Sequence, residues 1–169
     1  MHHYDADRIN CIPWKPDELK DGCILASLAH AIMVAKYPFL ANEHSWDGAN
    51  YSVQDSEGQR GTITFLNGIC VAAFRNDNSE RIAWKERAEH FFQGATSEVL
   101  QIANLETLQF LMDKVDGTIR PFITTAFWGE RSCFLMIQCK IYSKMGPHCF
   151  IVNCFRLNKL LNPGKSFTK

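Results

Sequence analysis

The fold of this chain is decided by residues 46–74, which read WDGANYSVQDSEGQRGTITFLNGICVAAF. Asp55-Ser-Glu-Gly58 is a turn sequence whose glycine can adopt a positive φ. Asn67-Gly68 is the strongest two-residue hairpin signal, because both central positions of a type I′ turn need positive φ. The two turns separate three strand-like segments, so the stretch predicts an antiparallel meander with strands at about 49–54, 60–66 and 69–75.

The residue pattern inside these strands predicts which faces are buried. In the second strand Ile63 and Phe65 alternate with Thr62 and Thr64, which is typical of a strand with one dry face and one wetter face. The third strand is an apolar run from Ile69 onward, which predicts burial on both faces.

Upstream of the meander the sequence predicts a helix from Pro16 to about Lys36. Proline and the two acids after it suit the first turn of a helix, and Tyr37-Pro38 stops it. Residues 39–48 are predicted to be a loop. The apolar stripe expected to be buried comprises Leu19, Cys23, Leu25, Leu28, Ile32 and Ala35.

Downstream, helices are predicted over 80–93 and 97–103. A further helix begins at Asn104 as N-cap, carries Leu105, Leu108, Leu111 and Met112 at helical spacing, and ends at Asp116-Gly117. The last third is strand-like, at 119–128, 133–142 and 149–155, with a helix over 133–142 as the alternative.

Length and composition bound the architecture. The chain has 169 residues, of which 46% are hydrophobic, so we expect one domain over residues 1–169 with a substantial core. The elements predict an α+β fold: a mainly antiparallel sheet, made of the 49–75 meander plus C-terminal strands, with helices packed on one face. The sequence has no run of 18 apolar residues and no secretory pattern at its start, which predicts a cytoplasmic protein without a membrane partner.

The seven cysteines indicate neither a disulfide framework nor a metal centre. Their number is odd and several lie in apolar runs, as expected for reduced thiols that serve as small core residues. The nearest approach to a zinc site is formed by Cys133, Cys139, His148, Cys149 and Cys154, but its spacings differ from the short turns of structural zinc sites. We expect no cofactor and no bound metal.

Charge is unevenly distributed along the chain. Residues 1–116 carry 10 Lys and Arg against 17 Asp and Glu, whereas residues 117–169 carry 8 against one. An acidic surface would suit a basic partner such as a nuclease, and the alternative is that the two parts neutralise each other across the fold. Direct nucleic-acid binding by the basic part is not expected, because no known nucleic-acid-binding pattern is present.

Cys23 and His148 are the candidate catalytic pair if the protein is an enzyme. Cys23 lies near the first turns of a helix and His148 precedes a predicted strand, an order that resembles papain-like cysteine peptidases. The tryptophan motif of that family is absent, and Cys23 also fits the buried stripe of its helix. A cysteine hydrolase is therefore the alternative function, and a regulatory binding module is a third.

Three segments carry a resemblance to a known class of proteins. They are Glu43 to Phe65, Val71 to Arg81, and Ile123 to Glu130. Together they resemble the small bacterial immunity proteins that neutralise polymorphic toxins, in particular those of contact-dependent growth inhibition. The resemblance implies a cytosolic, non-enzymatic inhibitor that forms a stoichiometric complex with the C-terminal domain of its cognate toxin, typically a nuclease.

This resemblance, combined with the excess of acids, suggests which residues contact the toxin. Acids near the first hairpin would meet the basic phosphate site of a nuclease, and Trp and Tyr are favoured interface anchors. For Trp46 a purely structural role, closing one end of the sheet, is an equally good interpretation. The candidate contact residues are Glu43, Trp46, Asp47, Asn50, Tyr51, Asp55 and Glu57.

Overall fold

A computed structural model describes residues 9–12, 15–79, 82–83, 85–130 and 135–138. The α-helices are α1 (Pro16–Lys36) and α2 (Ser97–Leu105), and short 3-10 helices cover Pro38–Leu40, Ala88–Phe92 and Thr107–Leu111. The strands are β1 (Ile9–Ile12), β2 (His44–Asp47), β3 (Asn50–Gln54), β4 (Gln59–Leu66), β5 (Ile69–Asn76), β6 (Met112–Val115), β7 (Thr118–Pro121), β8 (Thr125–Glu130) and β9 (Leu135–Gln138).

The predicted meander is confirmed as β3, β4 and β5. Its strands pair antiparallel, with Tyr51 opposite Ile63 and Ile63 opposite Ala72. Asn67 and Gly68 have φ values of 55° and 77°, as a type I′ turn requires, and Gly58 has a φ of 85°. The two turn signals in the sequence therefore set the register of the central sheet.

Four more strands extend the meander into a seven-stranded antiparallel sheet with the order β1-β9-β8-β5-β4-β3-β2. Strand β8 pairs with β5, and β9 pairs with both β8 and β1. Strand β2 is the last strand on the opposite side, where it pairs with β3. Strands β6 and β7 form a separate two-stranded sheet.

The helices lie on opposite faces of the sheet, because β5 is apolar on both sides. Cys70 and Ala72 of β5 join one cluster with Leu19 and Cys23 of α1. Val71 and Ala73 join a second cluster on the other face, with α2 and the neighbouring 3-10 helices. The α+β class and the antiparallel sheet are confirmed, but the expectation that the helices share one face is wrong, since both faces of β5 need an apolar cover.

Helix α1 has the predicted limits but a narrower buried side than predicted. Leu19 and Cys23 are buried as expected. Leu28 and Ile32, by contrast, are 59% and 76% exposed. The buried residues of α1 are Pro16, Leu19, Gly22, Cys23, Ala26 and His30. Among the described residues, neither α1 nor α2 combines the length and apolarity needed to cross a membrane.

Three helical or loop predictions were wrong. The segment 39–48 contains strand β2, and the described part of 80–93 forms no α-helix because Lys85, with a φ of 49°, breaks it. The helix predicted from Asn104 is a 3-10 turn that leads into β6, and Asp116-Gly117 is the hairpin turn between β6 and β7.

The C-terminal strand predictions are tested only in part. Segment 119–128 contributes β7 and β8, and Leu135–Gln138 is a strand, which favours the strand interpretation of 133–142 where that segment is described. The strand predicted at 149–155 lies outside the described residues.

Candidate functional site

The candidate contact residues lie on the hairpin of β2 and β3 at one edge of the sheet, or directly before and after it. Strand β2 pairs with β3 on one side, and no described strand pairs with its other side. Its last three residues, Ser45, Trp46 and Asp47, are exposed. Gly48 makes the turn with a φ of 56°. The strand therefore presents both side chains and backbone polar groups toward solvent, as edge strands do.

Trp46 is held in a fixed orientation while part of its ring faces solvent. Its indole Nε1 donates a hydrogen bond to Ser27 Oγ of α1 at 2.8 Å. The ring lies 4.9 Å from the Tyr51 ring and 6.2 Å from the Phe65 ring, measured between centroids, and the residue is 36% exposed. Trp46 thus covers one end of the core and leaves apolar surface available to a partner.

Two of the proposed contact residues are interior. Tyr51 is 0% exposed, and its hydroxyl shares a hydrogen bond of 2.7 Å with His44 Nδ1. Asn50 is also buried, and its amide nitrogen donates to Glu106 Oε2 at 3.0 Å. Both side chains are used inside the fold, so we leave them out of the contact set proposed below.

The four proposed acids lie at two ends of the hairpin. The backbone carbonyl of Glu43 accepts from the Gln54 amide, which places Glu43 near the turn that contains Asp55 and Glu57. Asp47 lies at the opposite end of β3. A five-residue strand spans about 17 Å, so the structure does not gather all four carboxylates into one cluster.

These acids also differ in how their carboxylates are used. Asp55 is half-buried, and its Oδ1 accepts the backbone amides of Glu57 and Gln59 at 2.9 and 2.8 Å, which stabilises the turn. Asp47 and Glu57 are exposed, and neither pairs with a basic side chain among the described residues. They are therefore the two acids most available to a basic partner.

A histidine pair that the sequence did not predict joins α1 to β2. The rings of His30 and His44 stack with centroids 4.1 Å apart and an interplanar angle of 13°. His30 Nε2 donates to the Leu40 carbonyl at 3.0 Å, and Glu43 Oε2 is 3.9 Å from the same nitrogen. Burial, and secondarily the charge of His30, lowers the pKa of His44 to about 4. His44 is therefore neutral at physiological pH and positions the edge strand through Tyr51.

A second charged cluster ties the small sheet to the large one. The guanidinium of Arg75, at the end of β5, donates to Asp77 and to Asp113 of β6, and lies 4.8 Å from the ring centroid of Phe122. Arg60 is 3.5 Å from the same Asp113 carboxylate. The hydrogen bond from Arg75 lowers the pKa of Asp113. Because each acid is paired within the cluster, this arrangement is structural.

The structure does not assemble the alternative catalytic site among the described residues. Cys23 lies on the side of α1 that packs in the core and is fully buried, so its thiol is not accessible to a substrate. His148 lies outside the described residues, as do Cys133, Cys139, Cys149 and Cys154. Within the described part of the chain, no group of three or more His, Cys, Asp or Glu side chains is placed to hold a metal ion.

The sequence indicated Trp46 but not the residues of α1 that hold strand β2. Ser27 and His30 sit in an apolar stretch of α1, and nothing local marks either one as a partner of β2. The burial of Tyr51 did have a signal, because the residue is directly opposite Ile63, whose face was predicted to be dry. Comparison of the chain with models of protein families, with curated proteins and with solved structures found no match.

Proposed function

We propose that this protein is a cytosolic immunity protein that neutralises a toxin domain, typically a nuclease, by forming a stoichiometric complex. The observation that carries the proposal is the exposed edge hairpin, in which Trp46 is fixed by Ser27 and flanked by Asp47. An aromatic side chain that is already ordered loses little conformational entropy on binding, which is why such residues serve as interface anchors. The proposed contact set is Trp46, Asp47 and Glu57, with Glu43 at the rim.

The charge of the described part supports a basic partner. Acidic residues outnumber basic ones there by 15 to 9. Two of the acids, Asp47 and Glu57, are exposed and unpaired among the described residues, so their field is not cancelled locally. A nuclease carries positive charge around its phosphate site, and opposite fields accelerate association.

The first test is protection from the toxin. The chain would be expressed in a susceptible bacterium together with the toxin domain encoded beside its gene, and growth would be followed with a pull-down of the complex. We expect growth to be restored and a stoichiometric complex to be recovered. Absence of both protection and complex would overturn the proposal, and a gene with no toxin gene beside it would favour a regulatory binding module instead.

The second test locates the contact surface. The double substitution Asp47→Lys and Glu57→Lys should weaken toxin binding by more than about tenfold while leaving the fold intact, because both side chains are exposed. Glu98→Lys is the matched control, since Glu98 is exposed in the first turn of α2, away from the hairpin. Binding that is reduced equally by both variants would place the contact surface elsewhere.

A further inference from the structure

Helix α1 presents an apolar surface to solvent as well as to the core. Ile24, Leu28 and Ile32 recur every four residues on the side away from the sheet and are exposed. We call these three residues the outer stripe. Next to it lie the exposed side chains of Met33 and Tyr37. Phe39 continues the surface at 81% exposed, with its ring 6.1 Å from the Tyr37 ring.

The sequence of α1 reinforces this observation. Residues 22–35 contain no charged side chain, and only Ser27 and His30 are polar. A surface helix normally turns a charged side toward water, and a helix that is apolar all round is normally covered on all sides. Contiguous exposed apolar patches commonly mark interaction sites, so the outer stripe and its neighbours indicate an interface.

Charges at the two ends of the stripe indicate the occupant. Asp21 lies one turn before the stripe and Lys36 one turn after it; both are exposed, and neither forms an ion pair with a described residue. In an antiparallel pair of α1 helices, Lys36 of each subunit would lie close to Asp21 of the partner subunit, so the same ion pair would form at both ends of the interface. Lys20 lies on the opposite flank of the helix from Lys36. In a symmetric antiparallel pair, each flank of one helix faces the same flank of the other helix. Lys20 therefore does not contact Lys36 of the partner subunit.

We propose that the protein forms a homodimer through the outer stripe, with the two α1 helices antiparallel across a two-fold axis near Leu28. Such an interface uses the same patch on both subunits and closes on itself. It therefore buries the stripe of both subunits without adding further subunits to the assembly. The helix of 21 residues is about 32 Å long, which allows the apolar centre and both charged ends to engage together.

Sedimentation equilibrium of the full chain tests the surface. We expect a dimer at micromolar concentration, and we expect Ile32→Glu to raise its dissociation constant by more than about tenfold, because the substitution would bury a charge one helical turn from the two-fold axis. Leu105→Glu is the matched control, because Leu105 is equally apolar and exposed on α2. Circular dichroism of each variant establishes that the fold is retained.

A charge exchange tests the antiparallel arrangement. Asp21→Lys and Lys36→Asp should each weaken the dimer a few-fold, and the double variant should regain the original dissociation constant. The two single variants change the net charge in opposite directions, so weakening by both, followed by restoration in the double variant, distinguishes a direct contact between subunits from a general effect of net charge.

Two results would overturn the dimer. One is a chain that is monomeric at all accessible concentrations, and the other is a dimer that Ile32→Glu leaves unchanged. Neither result bears on the toxin complex, because Asp47 and Glu57 lie outside the outer stripe. Toxin binding that persists in a monomeric chain would therefore remove this inference alone.

Discussion

Polar side chains between the sheet and the end of α2 form a hydrogen-bond network in which the donor of each bond can be assigned. Thr64 Oγ1 donates its single hydrogen to Asn50 Oδ1 at 2.6 Å. The contact of 2.7 Å between Thr64 and Thr107 must therefore be donated by the Thr107 hydroxyl. Asn50 in turn donates to Glu106, so four side chains connect β3 and β4 to the end of α2.

Thr107→Val tests how much this hydrogen-bond network contributes to the stability of the protein. The substitution keeps the shape of the side chain but leaves Thr64 Oγ1 without its donor in a fully buried position. We expect the free energy of unfolding to fall by about 1–3 kcal/mol, measured by urea denaturation. Thr118→Val, at an exposed position of β7, is the control and should change it by less than about 0.5 kcal/mol. Equal effects from both substitutions would contradict a special role for the network.

A second prediction at this scale concerns His44 and pH. Its pKa is lowered from 6.5 to about 4 in the folded protein, so the unfolded chain binds more protons between these two values. Stability from this residue is present above pH 6.5 and is lost as the pH falls toward 4. The groups that face it are His30 from α1, Tyr51 from β3 and, beside His30, Glu43.

The measurement is the urea midpoint at several values between pH 7 and pH 4. The slope contributed by His44 is at most about 1.4 kcal/mol per pH unit, the limit for one proton, and partial exposure reduces it further. His44→Gln should flatten the decline relative to the parent protein. The exposed His90 provides the control, as His90→Gln should leave the decline unchanged. An identical pH profile for His44→Gln and the parent would contradict the assignment.

At the scale of elements, the sequence predicted correctly those helix limits and turns that depend only on residues at the same place in the chain. Pro16 and Tyr37-Pro38 gave the limits of α1, and Asn67-Gly68 gave the turn between β4 and β5, because each acts on its own backbone. The β6–β7 hairpin was missed because Leu105, Leu108 and Leu111 fit a helical spacing. Asp116-Gly117 fits a helix end in that pattern, but the same dipeptide is also a hairpin turn, with positive φ at both residues.

Tertiary partners explain the remaining differences. Whether Leu28 is buried depends on what packs against α1, and the spacing of residues on the helix carries no such information. The sequence predicted a stripe, and the structure uses only its N-terminal part against the sheet. Similarly, His30 and Ser27 became parts of the candidate site only because β2 folds against α1.

At the scale of the whole molecule, acidic and basic residues are equal in number, and it is the excess of acids in the described part that makes a kinetic prediction about the proposed toxin complex. The association rate constant should fall by about tenfold or more as salt is raised from low to high ionic strength, because salt screens exposed charges. Stopped-flow mixing at several salt concentrations would measure it, with Asp47→Lys expected to reduce the slope and Glu98→Lys serving as the control. An association rate that is independent of salt would remove the electrostatic part of the proposal.

The pairing of β1 with β9 has a consequence for the order of events during synthesis. Ile9–Ile12 has β9 as its neighbour in the sheet, and that strand ends at Gln138. At about 5–20 residues per second, a ribosome needs roughly 6–25 s to make the intervening chain. Throughout that interval β1 exists without its partner, so β1 is made before the other described strands and yet is among the last of them to join the sheet.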